Sequence, residues 1–106
     1  MRYLMMQKAD GQEPTPQLYA DMAAFVQELT ASGVLLATGG LDPNGFKITS
    51  SGDDISVVDG PFTEAKEAIA GFALIEVRSK EEAIELGRRF RRIVGDGEST
   101  VQQVFG

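Results

Sequence analysis

Residues 70–77 read Ala70-Gly71-Phe72-Ala73-Leu74-Ile75-Glu76-Val77 and lead through Arg78 into Ser79-Lys80-Glu81-Glu82. In an extended chain Phe72 and Leu74 point to one face and Ala73, Ile75 and Val77 to the other. Apolar side chains on both faces predict a strand at the centre of a sheet with both faces covered. Ser79 and Glu82 have the spacing of a capping box, in which the hydroxyl accepts from the N3 amide and the carboxylate accepts from the cap amide. A helix is therefore expected from there to about Arg92, with Ala83, Leu86, Gly87 and Phe90 on its inner stripe. After an Asp96-Gly97 turn, residues 100–105 alternate as a closing strand.

Upstream, residues 2–8 read as a strand, with Tyr3, Met5 and Gln7 on one face and Leu4, Met6 and Lys8 on the other. Thr15 offers an N-cap oxygen, and Pro16 suits the first helical position, where no amide hydrogen is missed. Leu18, Tyr19, Met22, Phe25, Val26 and Leu29 then follow a 3.6-residue period, and Gly33 marks a left-handed stop. Residues 34–38 are a strand, ended by Gly39-Gly40 and Asp42-Pro43-Asn44-Gly45. Residues 46–50 and 55–58 are short β runs joined by Ser51-Gly52-Asp53-Asp54, a hairpin signal. Asp59-Gly60-Pro61-Phe62 reads as a turn, and residues 63–68 fit either one helical turn or an irregular connection.

The resulting order, β-α-β-(hairpin)-β-α-β, predicts an α+β fold: a ferredoxin-like split β-α-β plan with a hairpin inserted in the middle. One such domain accounts for residues 1–106. Two helices cover only one face of a four-stranded sheet, yet the first and third strands are apolar on both. Either a second copy of the chain covers the open face in a twofold homodimer, or the hairpin and its loop fold over it.

The composition narrows the chemistry. Cysteine and histidine are both absent, so thiolate nucleophiles, thiolate metal sites and the usual neutral-pH general base are excluded. Carboxylate, Lys, Tyr and Ser/Thr remain. The net charge of -6 disfavours nucleic acid and anionic membranes as partners, and the apolar runs fall well short of the about 20 residues of a membrane span. With no leader pattern at the start, the expected location is the cytoplasm. The one basic concentration, Arg88-Arg89 with Arg91-Arg92, sits where it complements the carbonyl end of a helix; a phosphate or carboxylate site is the alternative.

Asp59-Gly60-Pro61-Phe62-Thr63-Glu64-Ala65-Lys66-Glu67, with Ile69-Ala70-Gly71-Phe72 beyond it, resembles the signature of the DGPF branch of YCII-related proteins. The opening Met1-Arg2-Tyr3-Leu4-Met5-Met6, Gly33-Val34-Leu35-Leu36, Gly40-Leu41-Asp42-Pro43 and Glu81-Glu82-Ala83-Ile84-Glu85 extend the likeness over most of the chain. The resemblance implies a ferredoxin-like fold of the dimeric α/β-barrel type, a homodimer, and a cleft beside the sheet. It also implies two directions for function. YCII relatives are proposed to be enzymatic through a His and Asp pair, and DGPF members are often encoded beside, or fused to, extracytoplasmic-function sigma factors. This chain departs from the pattern: it has no His, Phe90-Arg91 stands where Cys-Pro is common, and Gln102-Gln103 where Arg-Pro is common.

Two functions follow. In the first, a small-molecule site, with or without catalysis, lies between the sheet, the first helix and residues 39–66. Asp59 is its candidate general base and Lys66 its candidate base or anion holder. Tyr3, Gly40, Phe62, Glu64 and Glu67 are candidate binding residues, with Phe46 as a further apolar wall. Each has a plainer role: Asp59 as a turn-closing side chain, and Glu64, Lys66 and Glu67 as a solvated charge cluster. In the second, the domain is a non-catalytic interaction module linked to sigma-factor-dependent transcription, with an exposed apolar patch. No metal and no cofactor are expected: the glycines precede no helix as a nucleotide loop would, and no Asp-rich calcium loop occurs.

Overall fold

The computed structural model describes residues 1–8, 13–60 and 68–106. Its elements follow the chain as β1 (Arg2–Lys8), α1 (Pro16–Ala31), β2 (Leu35–Gly40), β3 (Gly45–Ser51), β4 (Asp54–Gly60), β5 (Ile69–Glu76), α2 (Lys80–Val94) and β6 (Ser99–Val104). Four strands form an antiparallel sheet in the order β2-β5-β1-β6, which is the ferredoxin-like arrangement. The two strands with apolar residues on both faces, β1 and β5, take the centre, as the pattern of residues 70–77 requires.

Register fixes which side chains share a face. Tyr3 lies opposite Ile75 and Met5 opposite Ala73, while Leu4 pairs with Leu74 and Met6 with Phe72 on the other side. The first set meets both helices: Tyr3, Met5, Ile75 and Val77 form one buried cluster with Phe25 and Leu29 of α1 and Ala83, Leu86 and Phe90 of α2. Ile75, 1% exposed, is its centre. Neither helix reaches the second set, so Leu4, Met6, Phe72 and Leu74 stay only half-buried on the open face. Lys8, Gly40, Ile69 and Ser99 all lie at one end of the sheet, where the chain enters or leaves it.

The helix boundaries are set by local hydrogen bonding. The Leu18 amide donates to Thr15 Oγ1 at 3.1 Å with Pro16 next to the cap. At the other end of α1, Gly33 adopts a left-handed φ of 77°. The Val34 amide donates to the Leu29 carbonyl and the Gly33 amide to that of Thr30, the two bonds of a Schellman stop. On α2 the Glu82 amide donates to Ser79 Oγ at 3.1 Å, as the capping box requires. The Glu82 carboxylate, however, accepts from the amide of Arg78 at 3.1 Å, one residue before the expected cap amide. Tyr19, expected on the inner stripe of α1, is 65% exposed; it lies off the edge of the apolar arc centred on Phe25 and Leu29.

Strands β3 and β4 pair only with each other. Ser51 and Asp54 close the hairpin around Gly52-Asp53, with Gly52 at φ 59°, the glycine-first pattern of a II′ turn. The strand runs one step further than the sequence reading placed it: Asp59 and Gly60, expected in a turn, are extended and lie opposite Phe46 and Gly45. The rest of that predicted turn, Pro61 and Phe62, falls outside the described residues, as does most of the 63–68 connection. Among the described residues the hairpin joins no other strand and its side chains are exposed on both faces, so it projects as an arm. It does not fold over the open face of the sheet. The radius of gyration, 16.0 Å, exceeds the about 13 Å of a compact chain of this length accordingly.

A candidate ligand cleft between the helices and the sheet

Glycines decide where the sheet and helices part. Gly71 stands at the Lys8 end of β5, opposite Gln7 and Gly40, with no side chain to fill the space above it, whereas a Cβ on Gly39 would meet the Phe72 ring. A Cβ on Gly71 would lie 3.2 Å from the Gly39 carbonyl oxygen, so the strands there also approach too closely for a larger residue. The result is a cavity of about 210 Å³ between the helices and the sheet. Its walls are apolar, including Met5, Met22, Phe25, Val26, Leu86 and Phe90.

Among the described residues, Gln7 and Thr38 bring polar side chains to it. Gln7 lies at the Lys8 end of β1, where its Oε1 accepts a 2.7 Å hydrogen bond from the Ser99 hydroxyl across the strand pair. That bond turns the amide nitrogen, a donor, away from Ser99. Thr38 Oγ1 donates to the Phe72 carbonyl at 2.9 Å, which leaves its oxygen able to accept. The cleft thus presents an apolar enclosure with one donor and one acceptor near its glycine-lined end, the ordinary make-up of a small-molecule site.

Ser99 links this cleft to a second, open groove of about 690 Å³ between α2 and β6, where Arg88, Arg91 and Arg92 stand over Tyr3, Ala83 and Val101. Arg91 is tied in place. Its guanidinium donates to the Gly95 carbonyl at 2.7 Å and to Ser99 Oγ at 3.4 Å, and lies 5.7 Å from the Phe90 ring centre. Gly97, with φ 149°, leaves room that a Cβ would take from the guanidinium. Arg91 and Arg92 occupy the last turn of α2, where they complement its carbonyl end. Arg88 pairs with Glu85 at 2.7 Å, and Arg89 joins the two helices by a 2.7 Å bond to Glu28 while lying 4.9 Å from the Phe25 ring centre. The Arg89 hydrogen bond holds the Glu28 carboxyl below its ordinary range.

The residues picked out in the sequence are dispersed. Tyr3 is buried beneath α2, opposite Ile75 and Gln103, whereas Gly40 lies at the far end of the sheet opposite Gly71. Asp59 and Phe46 face each other across the arm, both exposed. Phe62, Glu64, Lys66 and Glu67 fall outside the described residues. The sequence reading passed over Gln7, Thr38 and Ser99. Their signal was present: Gln7 is the polar member of the face that also carries Tyr3 and Met5, and Thr38 closes an apolar strand just before two glycines. Among the described residues no cluster of three or more acidic side chains is arranged to hold a metal, and no helix is long and apolar enough to cross a membrane.

Comparison with known proteins agrees with this architecture. An uncharacterised protein of Rhizobium meliloti (strain 1021) is 34% identical over 81 residues, a match spanning 74% of this chain and 64% of the relative's own length. Among solved structures, the fold is similar to that of 5-chloro-2-hydroxyhydroquinone dehydrochlorinase from Burkholderia phenoliruptrix AC1100, in complex with 2,5-dihydroxybenzoquinone. The TM-score is 0.54 at 17% identity, over 99% of this chain and 94% of that one. Residues 1–104 match the YCII-related domain, so the chain belongs to the YCII-related family.

Proposed function

We propose that this protein is a homodimeric small-molecule-binding member of the family, in its DGPF branch, and that its ligand is a small, flat, largely apolar ring held in the cleft between the helices and the sheet. The observation that carries this reading is the make-up of that cleft: about 210 Å³ enclosed by Met, Phe and aliphatic side chains, with Gln7 and Thr38 as the polar side chains among the described residues. A ring with one or two hydroxyl or keto groups satisfies both. The ligand of the structural neighbour, 2,5-dihydroxybenzoquinone, is of this kind.

Among the described residues, no ionisable side chain lines the cleft. A proton acceptor for a bound ring would then come from outside these described walls, and the signature residues Asp59 and Lys66 are the candidates. In this reading Asp59 is the proton acceptor and Lys66 the holder of an anionic substituent, Phe62, Glu64 and Glu67 are further binding residues, Gly40 shapes the entrance and Tyr3 supports α2. One domain in the cytoplasm suffices for this role. A second reading, an interaction module serving transcription, is favoured by the exposed apolar arm.

Calorimetric titration with 2,5-dihydroxybenzoquinone as the probe separates the two. The ligand reading expects saturable binding, weakened about two- to tenfold by Gln7→Leu, the worth of one hydrogen bond of about 0.5–1.5 kcal/mol. It also expects Asp59→Ala to leave binding unchanged while removing any turnover. Absence of binding to the probe and to simple phenols and quinones would remove the ligand reading.

A further inference from the structure

The arm is amphipathic in a way that its own chain does not use. On one face of the β3–β4 hairpin stand Phe46, Ile48, Ile55 and Val57, with Asp59 opposite Phe46; on the other stand Lys47, Thr49, Ser56 and Val58. The four apolar side chains of the first face are exposed by 64%, 63%, 70% and 63% respectively. Strict alternation of this sort is the pattern of a half-buried ribbon, yet among the described residues nothing covers it. An isolated two-stranded hairpin is only marginally stable in water, so the arm needs a partner surface to hold its own shape.

We infer that the apolar face of this arm docks on a second copy of the same chain, against the open face of its sheet around Leu4, Met6, Phe72 and Leu74. The inference rests on the homodimer in the function proposed above and assigns the arm as its clasp. The argument for a second copy is one of matching surfaces. Among the described residues the chain carries two apolar β faces that the helices do not cover, one on the arm, where Phe46, Ile48, Ile55 and Val57 are exposed, and one on the sheet. A twofold pair engages both faces of both copies at once. A stable interface buries roughly 1,200–2,000 Å² in all, and pairing through both faces of both copies is the arrangement that uses all of this exposed apolar β surface. Docking carries Asp59 to the rim of that interface, beside Phe46 on the docking face.

The test uses the full chain in sedimentation and native mass spectrometry. The wild type is expected to be a dimer, and Ile48→Asp/Val57→Asp to raise its dissociation constant at least about a hundredfold. Thr49→Asp/Ser56→Asp, on the other face, should leave it within threefold. A dimer unaffected by the first pair overturns the clasp while leaving the homodimer standing. A wild type monomeric at every concentration overturns both. Should the first variant lose its native circular dichroism, amide exchange in the wild type decides. Arm protection that disappears on dilution supports docking, and unprotected arm amides in an intact dimer refute it.

Discussion

The helix-covered half of the molecule and the arm use the same alternating β pattern to different ends. In β1 and β5 the alternating residues Tyr3, Met5, Ala73 and Ile75 meet Phe25, Leu29, Leu86 and Phe90 from the helices. In β3 and β4 the alternating residues Phe46, Ile48, Ile55 and Val57 pair only across the hairpin among the described residues and stay exposed. Burial, rather than strand propensity, is what turns an apolar ribbon into a stable element. The covered half can therefore hold a shaped cleft, whereas the arm takes its shape from whatever covers it.

The sharpest way to break this contrast is a pair of truncations. Ile75→Ala is expected to lower stability by about 2–5 kcal/mol in urea denaturation, since the cavity it leaves is walled by both helices. Ile48→Ala in dilute protein should stay within about 0.5 kcal/mol, the ordinary range for a surface change. Equal losses would mean that the arm is packed within one protomer. A next smaller effect is expected at Gly33, whose φ of 77° costs a side chain roughly 1–2 kcal/mol, so thermal melting of Gly33→Ala should report a loss of that order. Ser79→Ala, which leaves the Glu82 amide without its cap, should cost about 1 kcal/mol in the same experiment.

The smallest effect is electrostatic. Glu28 has a folded-state pKa below its ordinary 4.5, so the stability it contributes is present above that value and is lost as pH falls through the lower, folded value. The pair with Arg89 is solvent-exposed, so salt should screen it. Arg89→Gln is expected to flatten the acid limb of the stability profile by lowering stability slightly above pH 4.5, and to leave the most acidic region, where Glu28 is protonated, unchanged. An unchanged acid limb would show that the helix-to-helix ion pair contributes nothing.

The helix starts and stops were legible because they rest on local chemistry: Thr15-Pro16, Gly33 and Ser79 to Glu82 each satisfy hydrogen bonds within a few residues. The hairpin was legible for the same reason, through Gly52. The cleft was not, because it is made by long-range pairing. Gln7 meets Ser99, and Gly39 meets Phe72 next to Gly71, only after four strands have taken their register. Sequence attention went instead to the charged signature, a local feature, while the polar side chains of the cleft are single residues on otherwise apolar strands.

The four methionines allow the central claim to be tested in one spectrum. Met5 and Met22 line the cleft, Met6 lies on the open face of the sheet, and Met1 is at the chain terminus. In methyl-labelled protein titrated with 2,5-dihydroxybenzoquinone, the account predicts that the Met5 and Met22 resonances move together and saturate, while Met1 and Met6 stay in place. Movement of Met6 alone, or of no methionine at all, would contradict a ligand site between the helices and the sheet.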